Sequence, residues 1–209
     1  FGAGVGPTLD PLLLLPLLAL CLLYAAGLHR AWRRAGVGRG VSRREAGAFV
    51  GGIAALALAL VGPLDALGER LFSGHMAQHL LLMNLAAPLL VLSAPLQVLL
   101  RPLPHAARRR VAAVLQARAW RVLGRVLGSA MIVTLLQQAL MWGWHTPAAI
   151  ARALSDEPVH IAMHASLLAA ALLFWRVVLA PGARRPGPRI AALAATIKIN
   201  GLVCLVMLL

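Results

Sequence analysis

Four of the seven histidines in this 209-residue chain form two pairs with the same spacing, His75 with His79 and His160 with His164. In a helix, a separation of four puts both imidazoles on one face with Cβ atoms about 6 Å apart. Neutral imidazole is a ligand for copper, zinc and iron. A fifth candidate, His145, closes the stretch Trp142-Gly143-Trp144-His145. Met76, Met83 and Met163 adjoin the pairs, and thioethers add a preference for Cu(I). Met83 follows His79 by four residues, whereas Met163 directly precedes His164 and need not share its face. A lone histidine in a membrane helix usually bonds across to a neighbouring helix. Two pairs and a fifth histidine point instead to a metal or haem site.

Hydrolytic chemistry is excluded by what lies between the histidines. A zinc protease places its glutamate inside the pair, as in H-E-x-x-H. Here the intervening residues are Met-Ala-Gln and Ile-Ala-Met. No serine, threonine or cysteine nucleophile stands beside a plausible base, so the chain reads as a non-enzyme. Cys21 and Cys204 are far apart inside apolar runs and read as small hydrophobes.

The elements that must carry these histidines are membrane helices. With 61% hydrophobic and 12% charged residues and a mean hydropathy of +0.83, the chain has more apolar surface than a soluble domain of this length can bury. A bilayer core about 30 Å thick takes about 20 apolar residues per helix, and open strands cannot cross it. Apolar runs of that order occupy 9–28, 46–64, 71–100, 126–144, 159–179 and 190–209. The fold expected is therefore all-α, a polytopic transmembrane bundle of six spanning helices forming one domain over 1–209. The third run is over-long and holds Pro88 and Pro95, which predicts a kink or break with an interfacial or re-entrant end. Lys198, inside the sixth run near Thr196 and Asn200, should face other helices.

Charge sets the expected orientation. Seventeen arginines (Arg30, Arg33, Arg34, Arg39, Arg43, Arg44, Arg101, Arg108, Arg109, Arg110, Arg118, Arg121, Arg125, Arg176, Arg184, Arg185 and Arg189) fall in alternate gaps, against Arg70 and Arg152 in the others. Asp10, Asp65, Glu69, Asp156 and Glu157, five of the six acids, lie on the side opposite the seventeen. The positive-inside rule then predicts a multi-pass protein of a bacterial inner membrane with its N-terminus extracytoplasmic. Phe1 to Pro7 lacks the basic n-region of a signal peptide and reads as the interior of a longer chain. His29 and His105 fall among the cytoplasmic arginines, whereas the other five histidines map to the outer ends of the third, fourth and fifth helices. The net charge of +14 belongs to these loops, which carry almost no aromatic residues, and nucleic acid is not an expected partner.

At these residues the sequence resembles the CtaG family of cytochrome c oxidase assembly proteins, the multi-helix type associated with caa-type oxidases. The resemblance rests on His75-Met76-Ala77-Gln78-His79-Leu80-Leu81-Leu82-Met83 running into Ala87-Pro88-Leu89-Leu90-Val91-Leu92 and Ala94-Pro95. It continues through Trp144-His145-Thr146-Pro147 and through His160-Ile161-Ala162-Met163-His164 to Leu173-Phe174-Trp175, covering roughly 72–175. It implies a non-enzymatic factor that helps to deliver copper to oxidase subunits, and a further, seventh helix with polar motif residues beyond Leu209. Two other readings of the same residues are a haem-binding electron-transfer protein, with His79 and His164 as axial ligands, and a copper transporter, hinted at by Lys198 and the broken third helix.

Overall fold

The computed structural model describes residues 11–61, 63–68, 70–180 and 187–208, except for the side chains of 11, 12, 63 and 201–208. Phe1, Asp10, Glu69, Arg184, Arg185 and the Cys204 side chain, all used in the sequence reading, lie outside the described residues. Every element among the described residues is helical. The chain groups into two compact units, Phe1–Arg121 and Val122–Leu209.

In the first unit, α1 spans Pro11–Ala35 and α2 spans Arg43–Leu60. The turn between them uses Gly36, Gly38 and Gly40, all with positive φ, which glycine adopts without steric cost. Ser42 then opens α2 with a capping box: its hydroxyl accepts from the Glu45 N–H at 3.1 Å, and the Glu45 carboxylate accepts from the Ser42 N–H at 2.6 Å. Glu45 is the one acid placed among the arginines, and this cap accounts for it. Short α3 (Pro63–Gly68) leads into α4 (Phe72–Leu81), and a π turn over Leu82–Ala86 joins α4 to α5 (Ala87–Leu92).

The expected irregularities of the third run sit at its prolines. Pro88 has no N–H for the Asn84 carbonyl, and its ring crowds that carbonyl, so the preceding turn widens into π geometry. Immediately ahead of Pro95 the helix breaks, as the residue before proline is disfavoured in the α region, and Ala94 there takes a left-handed conformation with φ 47°. α6 (Pro95–Leu99) then packs on α1. The approach is closest at Gly27, where any Cβ would run into the Val98 carbonyl. Tyr24 and Phe49 stack at 3.6 Å with planes 2° apart, fastening α1 to α2. The Tyr24 hydroxyl donates to the Ser93 carbonyl at 3.2 Å.

The arginine-rich α7 (His105–Gln116) and α8 (Arg118–Val126) bury no residue. The second unit takes up the end of α8, then α9 (Ala130–Trp144), short α10 (Pro147–Ser155), α11 (Glu157–Val178) and α12 (Gly187–Leu208). Val133, Phe174, Val177 and Ala192 join α9, α11 and α12 in one core. Arg189 donates to the Val178 and Ala180 carbonyls at the end of α11, where a cation suits the helix dipole.

Three stretches among the described residues are helices long and apolar enough to cross a membrane: Leu13–Ala35, Phe72–Leu92 and Glu157–Val178. The pair Arg118–Val126 and Ala130–Trp144, bent by 81°, makes a fourth if taken as one span. α2 places Arg43, Arg44 and Glu45 in its first turn, which shortens its apolar length. Lys198 departs from expectation: its side chain is exposed, while Thr196 is buried. Residues two apart on a helix point about 200° from one another, so burying Thr196 turns Lys198 away from the packed face. Cys21 is half-buried, with a free thiol.

Candidate metal centre

α4 begins after Leu71, and its first turns carry Gly74, His75, Met76, Gln78 and His79, all buried. Gly74 lets the Leu67 carbonyl of α3 come against α4, where a Cβ would collide with it. Gln78, 1% exposed, donates to the Ala59 carbonyl of α2 at 2.9 Å and to the Asp65 carboxylate of α3 at 3.0 Å. One amide thus ties α4 to two neighbouring elements between the two histidines of the pair. In the sequence Gln78 speaks only to the absence of a glutamate; its bridging role depends on residues 13 and 19 positions away.

The paired rings meet as their spacing requires. The Nε2 atoms of His75 and His79 are 2.8 Å apart, with ring centroids at 4.4 Å and planes at 79°. At that distance one nitrogen donates its N–H to the lone pair of the other. Two nitrogens on a tetrahedral ion at about 2.0–2.1 Å lie roughly 3.4 Å apart, so a small side-chain rotation, with the donor ring's proton moved from Nε2 to Nδ1, converts this pair into two ligands of one ion. Met76 and Met83 are buried alongside, Met83 within the π turn.

In the second unit, the His160 and His164 rings lie with centroids 4.4 Å apart and planes tilted by 50°. His164 and Met163 are buried, and His160 is half-buried. His145 caps the C-terminus of α9, is 3% exposed, and donates from Nδ1–H to the Met141 carbonyl at 2.6 Å. A carbonyl can only accept, so this bond fixes the tautomer and leaves Nε2 as the atom with a lone pair, a common arrangement behind a metal-ligating histidine. Burial holds the His145 imidazole below its usual pKa, while the Met141 carbonyl pulls upward. Next to it, the Trp144 indole donates to Ser166 Oγ at 2.9 Å, which registers the end of α9 on α11. Thr134, Gln137, Gln138 and Met141 are also buried on α9, at spacings that put them on the same face as His145. This polar stripe is a feature of α9 that the histidine spacing alone does not reveal, although its helical period is visible in the sequence.

The structure therefore brings His75 to His79 and His160 to His164, and locks the His145 ring. His29 and His105 are exposed, as their place among the arginines predicts. Imidazole nitrogens and the buried thioethers of Met76, Met83 and Met163 are donor types that suit copper.

The family model for the cytochrome c oxidase caa3 assembly factor, Caa3_CtaG, matches residues 22–209. The chain belongs to this family. Comparison with curated proteins and with solved structures gave no match. Membership in Caa3_CtaG makes the chain an assembly factor for a caa3-type oxidase and implies an interaction with that oxidase. Both histidine pairs, His145 and the two proline breaks lie inside the matched residues.

Proposed function

We propose that this Caa3_CtaG protein matures its oxidase by holding copper on His75, His79, His145, His160 and His164 and passing it to an oxidase subunit. The observation that carries the reading is the pairing of imidazoles within α4 and within α11, each with ring centroids 4.4 Å apart. Each histidine binds as neutral imidazole, so protonation at low pH competes with loading. His145 presents Nε2 because its Nδ1–H is held by Met141. Met76, Met83 and Met163 are additional soft donors if the ion is Cu(I). The protein acts as a carrier and not as a catalyst, with histidine donors in each unit that can take up and release the ion.

The same proposal places the protein in a bacterial inner membrane as a six-span bundle with its N-terminus extracytoplasmic and the histidines near the outer face. The distribution of seventeen arginines against two supports that orientation. Elemental analysis of protein purified in mild detergent tests the copper assignment, with bound copper as the expected result. Protein with no bound metal, or with a Soret band in its absorption spectrum, would overturn it, the second outcome favouring haem.

A further inference from the structure

At the arginine-rich end of the first unit, a cavity of about 270 Å³ is lined by Arg30, Ala31, Arg34, Arg101 and Arg108. We propose that this cavity is a binding site for a phosphate group, carried by an anionic phospholipid headgroup or by free phosphate. The proposal is independent of the copper reading.

The walls are built and not merely adjacent. The Arg30 guanidinium donates to the Arg101 carbonyl at 3.2 Å and to the Pro102 carbonyl at 2.7 Å. The Arg101 guanidinium donates in turn to the Gly40 carbonyl at 3.0 Å. These bonds tie α1, the glycine turn and the segment after α6 into one rim. Buried Ala31 also lines the cavity. Arg34 is one turn beyond Arg30 on the same face of α1, and both Arg34 and Arg108 are exposed.

Charge decides what can occupy it. Four guanidinium groups surround the cavity, and no acidic side chain is among its lining residues. The two acids described in this unit are committed elsewhere, Glu45 to the α2 cap and Asp65 to Gln78. Like charges at i, i+4 repel one another, so Arg30, Arg34, Arg101 and Arg108 gather at a cost that an anion removes. The guanidinium fork matches phosphate in bidentate geometry. Arginines at a helix end beside an apolar span are also where lipid phosphates lie.

The test uses the full chain in phosphatidylcholine nanodiscs with and without phosphatidylglycerol, followed by detergent extraction and quantification of retained lipid. The wild type is expected to retain phosphatidylglycerol in preference to phosphatidylcholine. The double variant Arg34→Gln/Arg108→Gln, which leaves the Arg30 and Arg101 hydrogen bonds in place, is expected to lose that preference roughly tenfold. In nanodiscs of phosphatidylcholine alone, inorganic phosphate that raises the unfolding temperature of the wild type and not of the variant would identify free phosphate as the source. A wild type with neither a phosphatidylglycerol preference nor a phosphate response overturns the proposal without reference to any variant. Equal retention and equal response in wild type and variant also overturn it.

Discussion

His75 and His79 stand one turn apart on α4 with their Nε2 atoms 2.8 Å from each other, a contact in which one ring must donate and the other accept. Both Nε2 lone pairs converge on one ion once the donating ring carries its proton on Nδ1 instead, each ring staying neutral. His160 and His164 repeat the spacing on α11. The hydrogen-bonded and metal-bound states of the His75–His79 pair differ by a tautomer and a small rotation, which suits a group that must both take up and release its ion.

Replacing His79 and His164 by alanine separates a structural role from a ligand role. If the two only bond to neighbouring groups, each loss costs about 0.6 to 2 kcal/mol and the protein remains in the membrane near normal abundance with unchanged metal. The expected outcome is loss of bound copper, with an oxidase that assembles short of copper and regains part of its activity when copper is added to the medium. Normal metal content with normal oxidase activity would show the copper mechanism to be wrong.

Gln78 is expected to act through position and not through contact with the ion. Gln78→Leu leaves the Ala59 carbonyl and the Asp65 carboxylate without their amide donor, at a cost of about 1–3 kcal/mol. Thermal unfolding in detergent should register this loss, and copper affinity should fall while the number of ions bound per chain stays the same. An unchanged unfolding temperature would remove Gln78 from the framework of α4.

The lowered pKa of His145 predicts the sign of a pH effect. The unfolded chain binds a proton at this residue more readily than the folded one, so stability should fall as pH drops below the ordinary histidine value of about 6.5 and level off below the folded pKa. Above that ordinary value the residue contributes no pH dependence. Metal-free His145→Asn protein should lack this component of the profile. Superimposable wild-type and variant profiles would contradict it.

Topology reporters test the orientation on which the outer placement of the histidines depends. A reporter fused after Asp156 should behave as extracytoplasmic and one after Gly187 as cytoplasmic. The reverse pattern would put the histidines on the inner face and end the proposed route to the oxidase.

Helical periodicity and proline chemistry are local, and much of this molecule is legible from them alone. The four-residue spacing of His75 with His79 and of His160 with His164 guarantees shared faces, because helix geometry depends only on the backbone. Pro88 and Pro95 act on the turn that holds them, so the π turn over Leu82–Ala86 and the break at Ala94 follow from residue type and position. The histidine motifs and their order are also enough to point to the family.

The remaining features are contacts between residues distant in the chain, which local pattern does not specify. Gln78 reaches Ala59 and Asp65, Trp144 reaches Ser166, and Arg30 reaches Arg101 and Pro102 only because helices pack in one particular register. Lys198 escapes sequence reasoning for the same cause: its charge argues for an inward position, but the packing of α12 buries Thr196 instead. Tertiary structure alone decided which side chains position the histidines, and that four arginines from α1, the segment after α6 and α7 line a single cavity.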